Sequence, residues 1–209
     1  MKKGLFVVFE GIDGSGTSTQ ASLLRERLLL DEEHAITTSE PSEGPLGNLI
    51  RQAMKGRVRF ANGKEEFDQQ MAYLFAADRH DHLHNEIDGV FKFINAGTHV
   101  ISTRYFFSSL AYHSHDKESF EFVRNLNARF PDPSIVIYLD NPVELSIERM
   151  ANRAHKDKYE NFEKLKEVSQ NYKKIFSEYK GELLKLDARL DPNSLHQIIY
   201  SKIRAIANE

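Results

Sequence analysis

The chain has 209 residues, 40 % of them hydrophobic and 28 % charged, the make-up of one globular domain with a real core. A net charge of −3 with no block of like charge argues against a bulk nucleic-acid or membrane-surface binder, and the lack of cysteine excludes disulfides and thiolate metal sites. No apolar stretch approaches the roughly 20 residues needed to span a bilayer, and Leu5 to Phe9 is too short for a signal-peptide core, so a cytoplasmic location follows by elimination.

Leu5 to Phe9 is a continuous apolar run closed by Glu10-Gly11, the pattern of a strand buried on both faces of a parallel sheet. Past the glycines, Ala21, Leu24 and Leu28 form one stripe of a helix with Arg25, Glu26 and Arg27 interleaved. Ala35 to Thr38 is a second short strand, Ser39 to Pro45 a loop by composition, and Leu46 to Met54 a helix. Val100 to Ser102 and Ile135 to Leu139 are further strands, and Asn141-Pro142 opens another helix with proline near its first turn. Leu183 to Leu186 makes a fifth strand, and Leu195, Ile198, Ile199 and Ile203 stripe the last helix. Strands alternating with helices predict an α/β fold with a parallel sheet and no interdomain linker.

Glu65 to Ile94 reads as one long helix, with Phe67, Met71, Phe75, Leu83 and Ile87 in a row of four-residue steps. Arg79 falls in that row, where a charge is costly to bury unless paired. Two readings stand: an arginine that is partly exposed or salt-bridged, to Asp78 or Asp81, or an anion site facing the interior of a cleft.

Gly11-Ile12-Asp13-Gly14-Ser15-Gly16-Thr17-Ser18-Thr19 follows a strand and opens a helix, the context a phosphate-binding loop requires. Its glycines let backbone N–H groups curl inward as a nest for phosphate oxygens at a helix N-terminus. Ser18 stands at the hydroxyl position that holds Mg²⁺, whereas Thr17 stands where the motif expects lysine.

In order and spacing, several further motifs resemble the thymidylate kinase family, whose members phosphorylate dTMP with ATP. They are Phe9 to Gly16 with Ser18-Thr19-Gln20, Ser39-Glu40-Pro41 with Gly44 to Gly47 and Ile50-Arg51, and Leu74 to Arg79. Ile101 to Tyr105 with Ser108 to Tyr112, and Tyr138-Leu139-Asp140 with Glu148-Arg149, complete the series nearly end to end.

The resemblance implies a P-loop α/β/α sandwich with a five-stranded parallel sheet, one domain over 1–209, and a helical lid over Met150 to Asn161. It implies ATP held by the loop and Arg149, Mg²⁺ on Ser18, and dTMP bound by Asp13, Glu40, Pro41, Phe75, Arg79, Arg104, Ser108 and Tyr112. Asp13 would accept a hydrogen bond from the sugar 3′-hydroxyl, Phe75 would stack on thymine, and Arg79 would bind the base edge or acceptor phosphate. Arg104 would bridge both phosphates, Arg149 would pack on adenine, and Arg153, with Lys156 and Lys158 nearby, would reach the developing charge from the lid. Ser15 replaces the P-loop arginine of some members, which fits an arginine supplied by the lid. Read without the family, Phe75 is plain core and the Arg153, Lys156 and Lys158 run a solvated face.

Three positions depart from the family pattern: Thr17 for lysine, Ser39 for arginine and Thr103 for aspartate. They leave the nucleotide nest in place and bear on the rate. The expected reaction is phosphoryl transfer from ATP to dTMP. The rivals are a nucleotide-binding regulator with little kinase activity, or a kinase for another monophosphate. The resemblance also implies a homodimer; the Phe106-Phe107 pair reads either as part of that interface or as core.

Overall fold

The computed structural model describes residues 2–58, 63–151 and 161–207. The three most buried strands form the middle of the sheet: β1 (Phe6–Glu10), β3 (His99–Thr103) and β4 (Ile135–Asp140). The more exposed β2 (Ala35–Ser39) and β5 (Leu183–Asp187) take the two edges. The order is β2-β3-β1-β4-β5 and every pairing is parallel, with Phe6 opposite Val100 and Val7 opposite Ile135.

Because side chains alternate along a strand, the sheet feeds two cores. Val7, Phe9, Ile101, Ile137 and Leu139 pack against α1 (Thr17–Leu30) and α9 (Pro192–Ala207). Phe6, Val8, Val100, Val136 and Tyr138 pack against the helices on the opposite face. These include α3 (Lys64–His84), α4 (Val90–Asn95), α5 (Phe106–Tyr112), α6 (Lys117–Asn127) and α8 (Phe162–Glu178). The remaining helices are α2 (Pro45–Met54) and α7 (Val143–Met150). The result is the expected three-layer α/β/α sandwich. Leu24 has no exposed surface; truncating such a buried leucine to alanine costs about 2–5 kcal/mol.

The long helix expected over Glu65 to Ile94 is two helices. α3 ends at His84, and Asn85 leaves the helical region at ψ 132°. Its side-chain oxygen accepts from the Ile87 N–H and its carbonyl from the Gly89 N–H, which turns the chain into α4. Ile87 is 79 % exposed instead of lying in the apolar row. Ile198 is likewise 41 % exposed, while Leu195, Ile199 and Ile203 carry the buried stripe of α9. The helices α5, α6 and α8 have no counterpart in the sequence reading. Phe107 is buried in the core, and Phe106 is partly buried against it.

Among the described residues no helix is long and apolar enough to cross a membrane. The expected lid starts at Met150, the last residue of α7, and ends at Asn161, which caps α8 by accepting from the Lys164 N–H at 2.8 Å. Residues 152–160, with Arg153, Lys156 and Lys158, lie outside the described residues.

The chain passes from β1 to β2 on one side and from β3 over to β4 on the other. A parallel sheet wound in this way opens a crevice at the carboxyl ends of its central strands. The features below all sit at that edge.

Candidate active site

The loop between β1 and α1 curls as its glycines dictate. Gly14 and Gly16 have φ of 82° and 98°, values that side-chain-bearing residues rarely adopt. A Cβ on Gly14 would also lie 2.8 Å from the Ser146 carbonyl oxygen. Gly16 occupies the N-cap of α1 without a side-chain cap, so the first N–H groups of the helix face the crevice. A cavity of about 410 Å³ opens there, lined by the loop from Asp13 to Thr19 with Thr103, Arg104 and Arg149. Gly11 and Ile12 do not line it; Ile12 is buried in the core and its carbonyl accepts from the Ser15 N–H. Arg149 donates to the carbonyls of Gly14 at 3.3 Å and Ala188 at 3.1 Å, tying the loop to the turn after β5.

A second cavity of about 170 Å³ lies beside the first. Pro41, Phe75, Arg79, Ser108 and Tyr112 line it, and Asp13, Glu40 and Arg104 line both. Each residue assigned by sequence to the acceptor nucleotide therefore borders one space. The larger space holds the described residues assigned to the donor, apart from Gly11 and Ile12.

Arg104 stands at the junction. Its Nη2 donates to Asp13 Oδ1 at 2.5 Å and to Tyr112 Oη at 3.2 Å, its Nη1 donates to Ser108 Oγ at 3.1 Å, and its guanidinium lies 4.9 Å over the Tyr112 ring. Tyr112 Oη in turn donates to Asp13 Oδ2 at 2.9 Å. Burial opposes the arginine's charge, but Asp13, the two tyrosines and Glu10 outweigh it and hold its pKa above the ordinary value. The backbone at Arg104 is left-handed, φ 74°, a strained conformation for an arginine.

Arg79 pairs with Glu40, not with Asp78 or Asp81. Its Nε and Nη2 reach Glu40 Oε2 at 2.8 and 2.6 Å, with further bonds to Asn127 and Ser109, and it is 1 % exposed. Asp78 instead accepts from the Ser42 N–H and hydroxyl at 2.7 and 2.5 Å, fixing the loop after β2. A buried ion pair is costly to split, because removing one partner strands the other charge. Arg79 is thus a paired arginine, fully buried where partial exposure was one expectation, and it borders the smaller cavity.

Two groups at this edge have no place in the sequence reading. Glu10, the last residue of β1, is fully buried, and burial pushes its carboxyl up to about 7 against the opposing pull of Arg104 and three hydrogen bonds. His113 lines the smaller cavity with its ring 5.4 Å from that of Phe75, and burial pushes its imidazole down to about 4, so it stays neutral. The apolar-to-charged step at Glu10 is a sequence signal for the first. His113 has none beyond its nearness to Tyr112.

For a divalent cation the crevice offers the Ser18 hydroxyl, exposed on the wall of the larger cavity. In a phosphate loop the serine or threonine hydroxyl is the protein's donor to magnesium, with phosphate oxygens and waters completing the shell, so Ser18 fits it. Thr103 adds a neutral hydroxyl on the same wall.

A family model described as thymidylate kinase matches residues 9–199. A protein from Thermococcus kodakarensis named probable thymidylate kinase is 36 % identical over 209 residues, covering 98 % of this chain and 100 % of the relative. Proteins of the same name from Methanococcus aeolicus and Pyrobaculum aerophilum are each 39 % identical, over 173 and 168 residues. Those matches cover 83 % and 80 % of this chain and 80 % of each relative.

Proposed function

The chain belongs to the thymidylate kinase family, and from that membership we infer that it transfers the terminal phosphoryl group of ATP to dTMP, giving dTDP and ADP. The observation that carries this reading is the position of Arg104 and Asp13 on the shared wall of two adjoining cavities. A phosphate in each cavity would meet at Arg104.

The loop N–H groups and the α1 N-terminus take the donor phosphates, and Arg149 packs on the adenine. Ser18 would hold magnesium, which when bound would supply neutralising charge. In the smaller cavity Phe75 faces the thymine and Arg79 its edge. Arg79 is already braced by Glu40, Asn127 and Ser109, so little ordering remains to be done when the base arrives. Asp13, Glu40, Pro41, Ser108 and Tyr112 border the sugar and acceptor phosphate. Asp13 turns one oxygen from Arg104 to the sugar 3′-hydroxyl as the arginine swings to the phosphates. An oxygen of the acceptor phosphate attacks the γ-phosphorus, the bond from that phosphorus to the β-bridging oxygen breaks, and ADP leaves. A phosphate is largely ionised near neutral pH, so the nucleophile needs no base, and Thr103 in place of aspartate does not block the step. Positioning and charge neutralisation dominate such transfers.

The whole chain works as one domain, with a lid over residues 150–161 that brings Arg153 to the developing charge and excludes water. We assign it a homodimeric state and a cytoplasmic location on the family resemblance and the composition. Family membership favours the enzyme over a binding-only regulator. ADP release from ATP, measured with and without dTMP, tests the reading: dTMP-dependent ADP supports it, and ATP binding without such ADP overturns it.

A further inference from the structure

Arg104 holds a strained backbone conformation, and three hydrogen bonds fix the peptides on either side of it. Its N–H donates to the Phe9 carbonyl at 2.8 Å, its carbonyl accepts from Ser102 Oγ at 2.9 Å, and the next N–H, of Tyr105, donates to Glu10 Oε1 at 2.8 Å. The other oxygen of Glu10 accepts from Ser108 Oγ and Tyr172 Oη, each at 2.7 Å. Ser108 Oγ also receives Arg104 Nη1. Glu10 therefore touches Arg104 by two routes, through the backbone at Tyr105 and through the side chain at Ser108. Tyr172 lies on α8, the helix that follows the expected lid segment.

We propose that ionised Glu10 is the positioning residue for Arg104, and that through Tyr172 it couples the arginine to α8. The kinetic part of this proposal rests on the kinase reading above; the structural part does not. A carboxylate can only accept, so while ionised it holds all three donors. A protonated Glu10 must donate to Ser108 or Tyr172, which reverses one bond and loosens the anchor of Arg104. The charged and titratable groups facing Glu10 are Arg104 before α5, Tyr138 on β4 and Tyr172 on α8, with Tyr112 and Asp13 reached through Arg104. Arg104 is the cation among them, so its own placement favours the ionised form.

The test follows the Arg104 Nε–H resonance with pH in the full-length protein, assigned through Arg104→Lys, alongside kcat and KM. In the wild type the resonance titrates with a midpoint near 7, and in Glu10→Gln that step disappears. Tyr172→Phe removes a donor to the carboxylate and moves the midpoint upward. At pH 8 Glu10→Gln lowers kcat about tenfold or more while both KM values stay within about threefold, the signature of a misplaced transition-state contact. A flat Arg104 resonance in the wild type, the same titration in Glu10→Gln, or wild-type kcat in that variant overturns the proposal. If thermal unfolding shows Glu10→Gln to be unfolded, Tyr172→Phe decides, and an unchanged midpoint there overturns it. Absence of dTMP-dependent ADP in the wild type counts against the kinase reading alone, since the resonance reports Glu10 without turnover.

Discussion

Asp13 and Arg104 are 91 residues apart in sequence and meet at 2.5 Å on the wall common to both cavities. Each keeps about a quarter of its side chain exposed, 25 % and 23 %, so the pair is open to substrate. Lysine in place of Arg104 keeps one charge but loses the fork that serves Asp13, Ser108 and Tyr112 together. Arg104→Lys is expected to lower kcat/KM for dTMP by about two decades, the scale of a lost charge-stabilising donor. Steady-state kinetics with both substrates varied checks this. A change under threefold would remove Arg104 from the reaction.

Thr17 lacks the ammonium that the loop motif supplies to the β- and γ-phosphates. A hydrogen bond to a charged group contributes about 1.5–3 kcal/mol, which in the transition state is one to two decades of rate at about 1.36 kcal/mol per decade. Thr17→Lys is expected to raise kcat by about 10- to 100-fold with little change in ATP affinity. An unchanged or lower kcat would mean that other groups already fill this role.

Glu40 and Arg79 form a buried pair, 2 % and 1 % exposed in their side chains. Glu40→Ala leaves the guanidinium without its counter-charge and is expected to cost about 3–5 kcal/mol. At about 2–4 °C per kcal/mol for a chain of this size, the melting temperature falls by roughly 6–20 °C. Thermal unfolding followed by circular dichroism measures it. A drop under 2 °C would show that water or another residue replaces the carboxylate.

His113 gives a pH dependence whose sign can be worked out. Its folded-state pKa of about 4 lies below the ordinary 6.5, so the unfolded chain binds the proton more readily. The stability it contributes is present above pH 6.5 and is lost as pH falls through about 4. The full effect is about 3 kcal/mol, from about 1.36 kcal/mol per pKa unit. His113→Phe should flatten the stability curve in that window. In the wild type, ring-nitrogen NMR should report a neutral His113 at pH 5.5; an imidazolium there would contradict the account.

Much of this site was legible in the sequence, for local reasons. The loop from Gly11 to Thr19 declares itself because strand, glycines and helix are contiguous. The strands β1 and β4 declare themselves because burial on both faces leaves unbroken apolar runs. The break at Asn85 is masked in the sequence by the apolar spacing on either side, although Asn85 and Asp88-Gly89 carry the turn chemistry. Arg79 stood out as a charge in an apolar row, but its partner did not, because Glu40 lies 39 residues away and Asp78 and Asp81 were nearer along the chain. Glu10 was harder still. Its partners Tyr105, Ser108 and Tyr172 come from elements up to 162 residues distant, and only the folded sheet assembles them.

The central claim is that the two cavities joined at Arg104 carry phosphoryl transfer from ATP to dTMP. The direct measurement is initial-rate ADP formation from ATP with magnesium, run with dTMP, with each of the other nucleoside monophosphates, and with no acceptor. The account predicts ADP and dTDP in equal amounts with dTMP, at a rate well above that of any other acceptor. Tight ATP binding with no acceptor-dependent ADP, or faster turnover on a different monophosphate, would contradict it.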